Sequence, residues 1–226
     1  MCASYGLGGG PYSEHPLFGL DPMDAHEGRA IVDEWLREQK GKAAITGRNA
    51  VNLNPIIRAD ASGDRSIDLA WWWIWLDGSG PVKFSAFNSR DDRLLRSWRK
   101  PFQSRALLPA AWYVEKGVRF GLSSGEAFGI AAITSTVTDD ATGEKLTTYS
   151  MVTRDAIGDA ALVWHRMPLV LPREAHDEWL NPARQGDSSL LEAVRHASDD
   201  FSASLRGIGA LPAASGGQSP TAPTLF

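Results

Sequence analysis

The sequence predicts an α+β fold: a β-rich single domain with a curved or barrel-like, mainly antiparallel sheet and a few flanking helices. Three observations lead there. Short apolar runs bounded by Gly, Pro, Asn and Asp recur through the middle of the 226-residue chain. Amphipathic stretches of helical period lie near its start and near its end, and no internal repeat is present. With 43% hydrophobic and 22% charged residues, the composition suits one large globular domain. The domain is assigned to residues 1–209, and 210–226, a Pro/Ser/Ala/Gly/Thr stretch without periodicity, to a disordered tail.

The elements follow in order. Gly6 to Pro11 is a Gly-rich loop, and it is no phosphate loop because no strand precedes it and no Lys-Ser/Thr follows. From Asp24, the apolar residues Ile31, Val32, Trp35 and Leu36 share one face, predicting a surface helix of about 15 residues that ends before Gly41. The segment Arg48 to Pro55 is polar and turn-rich, and Ile56-Ile57-Arg58 begins a short strand cut off by residues 60–64. The run Ile67 to Leu76 is a strand carrying Trp71, Trp72, Trp73 and Trp75. Consecutive side chains alternate faces, so at least one tryptophan lies under a second layer or faces a ligand.

Residues 82–87 are expected to form a strand leading into Asn88-Ser89-Arg90, and 91–98 a short helix closed by Pro101. Strands are expected at 106–108 and 112–114 around a kink at Pro109, and a hairpin at 128–136 and 146–153 across the turn 139–143. After His165-Arg166-Met167-Pro168 come a buried strand at 169–171, a helix from Pro172 to about Leu180, and an amphipathic helix over about 188–197.

Charge is unevenly placed. The net value of −4 argues against a generally basic nucleic-acid protein, yet Asn88 to Arg105 carries +4, leaving −8 elsewhere. Arg90, Arg93, Arg96, Arg99, Lys100 and Arg105 make either a local positive face for an anionic polymer or a solvated helix face. No apolar run approaches the roughly 18 residues of a membrane span, and no signal-peptide pattern opens the chain, so a cytoplasmic protein is expected. One cysteine and five scattered histidines exclude an internal disulfide framework and a paired metal-ligand motif. No metal, no cofactor and no membrane partner are expected, and a monomer is.

That one cysteine is Cys2. Loss of Met1 leaves it as a free N-terminal residue with two nucleophiles, a thiol and an α-amine, on adjacent carbons. Their reference pKa values lie near 8.5 and 8, so both are partly reactive at neutral pH. Against an aldehyde, the amine forms a Schiff base that the thiol closes into a thiazolidine ring. The alternative is a small buried hydrophobe. Such chemistry needs a proton shuttle, a group to hold the sugar, and cations for phosphates. Glu115 follows Trp112-Tyr113-Val114, so it is either a carboxylate with raised pKa in a partly apolar site or a strand-end acid paired with Lys116. Asn88 and Arg90, one residue apart on an extended segment, point the same way. His165-Arg166 precedes a buried strand; a lone His is more often structural. Exposed tryptophans in 71–75 would stack on unpaired bases, a contact of roughly 1–3 kcal/mol each.

Together these pieces resemble one family, the SOS-response-associated peptidases (SRAP), which shield abasic sites. The matching pieces are Met1-Cys2; Arg48-Asn49 through Pro55; the Trp-rich strand 71–75; Asn88-Ser89-Arg90; Arg105 to Glu115; and Arg166-Met167-Pro168 with the apolar run behind it. The resemblance implies a β-rich fold with a positively charged groove that binds single-stranded DNA at an abasic site. It implies that Cys2 forms a stable thiazolidine crosslink with the ring-opened sugar, that Asn88 orients Cys2 and the sugar, and that Glu115 moves protons. Arg90 would hold a phosphate, with Arg93, Arg96 and Arg166 adding to the DNA-binding face and Trp71, Trp72 and Trp73 forming a stacking wedge. AP-lyase and autopeptidase activities, and association with damaged DNA in the nucleoid, belong to the same expectation.

The chain departs from the family at three places. Ala3-Ser4 follows Cys2 where the family has Gly-Arg. Ala111-Trp112 stands for Asp-Gly. The position of the family's histidine is Trp164, with His165 one residue late, so His165 takes the role or Trp164 replaces the base. Two other classes stay open: an N-terminal-nucleophile thiol peptidase, in which Cys2 attacks an amide with its own amine as base, and an attenuated module that binds single strands without reacting.

Overall fold

The computed structural model describes residues 2, 4–7, 20–23, 25–39, 44–46, 53–84 and 86–210, with backbone alone at 44–46 and 208–210. Most of the Gly-rich loop, residues 48–52 of the polar segment and the tail beyond 210 lie outside them.

Five strands close on themselves. They are β3 (Leu53–Ala59), β4 (Arg65–Trp72), β6 (Arg105–Ala110), β9 (Phe128–Thr138) and β10 (Lys145–Asp155). β10 pairs β4 parallel, β4 pairs β3, β3 pairs β6 and β6 pairs β9 antiparallel, and β9 returns to β10 as a hairpin. The ring has no edge along these pairings, which is how a small β domain avoids exposing unpaired backbone. Three short strands extend it: β5 (Asn88–Arg90), parallel to β10; β11 (Arg166–Pro168), antiparallel to β10; and β12 (Val170–Leu171), antiparallel to β9.

A second sheet orders β13 (Arg206–Ala210), β8 (Val118–Gly121), β7 (Trp112–Glu115), β1 (Ser4–Gly6) and β2 (Ala44–Thr46), all antiparallel. β6 passes into β7 with one intervening residue, so the two sheets are continuous along the chain at Ala111. This join brings the N-terminal strand to the mouth of the ring. The fold is therefore α+β with a barrel-like, mainly antiparallel sheet, as its sequence predicts.

Tyr149, Trp72 and Ile56 are among its fully buried side chains, and Trp72 stacks on Tyr149 with centroids 5.9 Å apart and planes at 6°. Helix α1 (His26–Glu38) lies against β3 and β4, and its Trp35 indole donates to the Leu53 carbonyl at 2.7 Å. Helix α2 (His176–Leu180) sits on β6, where the Trp179 indole donates to the Ala106 carbonyl at 2.8 Å. Helix α3 (Ser188–Ser204) covers β12 with a stripe of Leu190, Leu191, Val194, Ser198 and Ser202, capped by the Asp187 carboxylate, which accepts from the Leu190 amide.

Several local expectations are corrected. The described residues of this stretch, 82–84, 86 and 87, form no strand: carbonyls there serve indoles, with Trp72 donating to Phe87 at 2.7 Å and Trp73 to Val82 at 3.1 Å. In place of a helix at 91–98 there is a 3-10 turn, Asp91–Arg93, followed by further turns, because the buried Asp91 carboxylate is drawn inward to Arg166. The strand carrying the tryptophans stops at Trp72, and β6 runs straight through Pro109. Pro172 is followed by a 3-10 turn, Arg173–Ala175, before α2 begins. Helix α3 runs seven residues past Ala197, to Ser204, because its polar-looking second half buries Ser198 and Ser202 with their hydroxyls bonded to each other at 2.9 Å.

Candidate functional site

Cys2 lies where β1 enters between β2 and β7. It is 1% exposed, and its thiol donates to the carbonyls of Ser4 at 3.3 Å and Val114 at 3.6 Å. Burial pushes the thiol up to about 12; backbone hydrogen bonding at Ser4 opposes this, and the nearby Glu115 charge adds to it. In this state Cys2 is a protonated thiol at neutral pH, and its nucleophilicity has to be released by a change in its surroundings.

Asn88 fixes the same residue from the other sheet. It opens β5 and is 8% exposed, and its amide nitrogen donates to the Cys2 carbonyl at 2.7 Å. β5 holds its place because it runs parallel to β10 with Asn88 opposite Met151. Next to it, the Ser89 hydroxyl donates to Ser150 at 2.7 Å. Asn88 Oδ1 is buried and has no hydrogen-bond partner among the described residues.

Glu115 ends β7 and is 4% exposed. The two-residue turn after it, Lys116-Gly117, has positive φ at both positions (49° and 83°), so β7 reverses at once into β8, with Glu115 opposite Val118. Lys116 does not turn back onto Glu115; its ammonium sits over the Trp164 ring, 3.9 Å from the centroid. Cys2, Asn88 and Glu115, drawn from three distant segments, thus meet at one place.

The remaining predicted residues are dispersed around this centre. His165 is exposed, its ring 4.3 Å from that of Trp164, which is half-buried. Arg90 is exposed and paired with Asp92 through two bonds of 2.9 and 2.7 Å. Arg93, Arg96, Arg99 and Lys100 are exposed on the turns that follow. Arg105 is buried, with its guanidinium donating to the carbonyls of Trp179, Phe102, Asn181 and Arg184; desolvation lowers its pKa. Arg166 is 5% exposed and holds Asp91 at 2.8 Å and Asp155 at 2.6 Å, while Arg195 reaches the other Asp91 oxygen at 3.2 Å. Trp71 and Trp73 are half-buried, whereas Trp72 is enclosed in the core.

Three features were not read from the sequence. Below Cys2, the Tyr5 and Tyr149 hydroxyls are bonded at 2.8 Å, and burial raises both pKa values. Tyr113 is buried beside Cys2 and Glu115. Phe84 is 58% exposed against Trp98, next to the basic turns. Alternation along β7 would have placed Tyr113 on the Glu115 face; no local signal marks Phe84 or the tyrosine pair.

Trp112 closes one side. It stands opposite Gly6, where a side chain would collide with the indole: a Cβ there would lie 2.0 Å from a ring carbon. The Arg119 guanidinium covers the indole at 4.5 Å. Among the described residues, no group of three or more His, Cys, Asp or Glu is placed to hold a metal ion, and no helix is long and apolar enough to cross a membrane.

The family model for SOS response associated peptidase (SRAP) matches residues 42–205, well over half of the chain, beginning after β1. Among solved structures, the chain is similar to a protein from Bacteroides thetaiotaomicron, with 19% identity, 85% of this chain and 86% of that one covered, and a TM-score of 0.60. A protein from Bordetella bronchiseptica shares 18% identity over 87% and 92% of the two chains at a TM-score of 0.58. A phage-related protein from the same organism shares 17% over 74% and 81% at 0.55. At these identities the likeness is one of fold. No curated protein matches the sequence.

Proposed function

We propose that this chain, which belongs to the SOS response associated peptidase family, captures abasic sites in single-stranded DNA by covalent reaction at Cys2. Membership ties the chain to the response to DNA damage; the chemistry is our reading of the site. The observation that carries it is the 2.7 Å hydrogen bond from the buried Asn88 amide to the Cys2 carbonyl. Cys2 precedes β1, whose ladder begins at Ser4, so its backbone carbonyl is held by this side chain rather than by a strand pairing. Here a side chain 86 positions away fixes the backbone unit whose amine and thiol must both reach one carbon.

The steps follow from the groups present. Removal of Met1 frees the Cys2 amine and places a positive charge beside the thiol, which favours the thiolate. The amine attacks the aldehyde of the opened sugar, water departs, and the thiol adds to the resulting iminium carbon, closing a thiazolidine. Glu115, buried within electrostatic reach of Cys2, relays the protons. Arg93, Arg96, Arg99 and Lys100 attract the backbone of the strand, and Trp71, Trp73 and Phe84 offer ring faces for unpaired bases.

The reading is tested by mass spectrometry of the protein after incubation with an oligonucleotide bearing one abasic site. The expected product has lost Met1 and gained the oligonucleotide less one water, at the N-terminal peptide. Protein lacking Met1 that stays unmodified would remove the covalent step and leave a binding module.

A further inference from the structure

The steps above leave one group beside Cys2 without a task. Tyr113 is fully enclosed, with its ring stacked on Phe120 at 5.2 Å and 20°, and its hydroxyl has no hydrogen-bond partner among the described residues. Phenylalanine would fill the same space without burying an unsatisfied donor, so the hydroxyl calls for a ligand.

Its position says which ligand. Alternation along β7 puts Tyr113 and Glu115 on one face, and the Cys2 thiol reaches the carbonyl of Val114 between them. Burial raises the Tyr113 pKa above its ordinary range, and the nearby Cys2 and Glu115 charges add to that. The group stays protonated at any physiological pH and acts as a donor, never as a base. Asn88 Oδ1, an acceptor without a partner among the described residues, belongs to the side chain that holds the Cys2 carbonyl. An unpartnered donor within electrostatic reach of Cys2 and an unpartnered acceptor on the side chain that holds the Cys2 carbonyl thus belong to one site.

We propose that Tyr113 is a catalytic hydrogen-bond donor to the aldehyde oxygen of the opened sugar, with Asn88 Oδ1 accepting from the N–H or O–H that develops as the amine adds. This rests on the abasic-site reading. The nitrogen lone pair forms the new N–C bond while the carbonyl π electrons move to oxygen, where the Tyr113 hydroxyl receives the growing negative charge as an oxyanion donor does. A proton transferred from nitrogen to that oxygen gives the carbinolamine. The C–O bond then breaks, oxygen leaves as water after taking a second proton from Glu115 or solvent, and Sγ adds to the iminium carbon as its own proton is released. One water is lost in all, nothing is oxidised or reduced, and Tyr113 ends as the phenol it began as.

The test is single-turnover crosslinking by Tyr113→Phe and wild type over a range of abasic-strand concentrations, with thermal melting of both proteins. A fall of at least about tenfold in the maximal rate is expected. The half-saturating concentration should stay within about twofold and the melting temperature should not fall. Equal maximal rates, or an effect confined to half-saturation, would overturn the assignment while leaving the covalent reading intact. No crosslink from wild type itself would overturn that reading and this assignment with it.

Discussion

The amide of Asn88 donates to the carbonyl of Cys2 at 2.7 Å, joining the strand that flanks β10 to the segment just ahead of β1. Everything claimed for the site depends on that distance, because a free chain terminus frays unless something ties it down. Asn88→Ala should therefore lower the rate of crosslinking by roughly 10- to 100-fold, the range for a misplaced reacting group. Affinity for an undamaged single strand should change less than about threefold. Filter binding and single-turnover kinetics on the same preparation measure both, and a parallel loss in the two would make Asn88 a folding residue only.

Glu115→Gln keeps the size of the side chain and removes its charge. Crosslinking, or its reversal, should slow by about 100-fold while binding to intact strands is unchanged. Equal rates in mutant and wild type would take Glu115 out of the mechanism.

The buried thiol gives a pH prediction. Folding raises its pKa to about 12, so the folded state favours the protonated form. The stabilisation this gives is full below the unfolded value of about 8.5 and is lost as pH rises from there towards 12. Denaturant titrations of the protein retaining Met1 should show stability falling above about pH 9, and Cys2→Ala should flatten the first part of that fall. An unaltered pH profile for Cys2→Ala would mean the thiol is not enclosed.

Arg166 and the exposed cations should separate cleanly. Removing Arg166 leaves the buried Asp91 with Arg195 as its remaining cation, and Arg166→Met should cost about 1–3 kcal/mol, read as a lower denaturation midpoint. Arg93→Ala with Arg96→Ala should leave stability within about 0.5 kcal/mol and reduce the slope of log affinity against log salt by about 0.7 for each cation that meets a phosphate. A reversed pattern would relocate the DNA-binding face.

His165 is exposed, its ring 4.3 Å from that of Trp164, so His165→Ala should alter crosslinking by less than about threefold. A larger loss would show that this imidazole serves the site despite its placement.

The ring strands were legible because their sequences carry strong local signals: Ile56-Ile57 and Phe128 to Ile133 are apolar on both faces, and Asp139 to Gly143 is a recognisable turn. Residues 82–87 misread because an indole N–H from Trp72 or Trp73 occupies a carbonyl as a ladder partner would, a tertiary effect with no local trace. Asn88 and Glu115 were identifiable through motif spacing. Tyr113 was not, since its meaning depends on where β1 brings Cys2 along β7. Charge alone misleads at Arg105 and Arg166, which share the sequence pattern of the exposed arginines but spend their guanidinium groups on buried carbonyls and carboxylates.

The central claim is that Cys2 forms a covalent bond to an abasic site. Its most direct test is denaturing gel electrophoresis of the protein mixed with a uracil-containing single strand pretreated with uracil glycosylase, with Cys2→Ala and an undamaged strand alongside. A slow band requiring both Cys2 and the lesion is the expected result. Its absence, with Met1 shown by mass spectrometry to be gone, would contradict the claim and leave a fold that binds single strands without reacting.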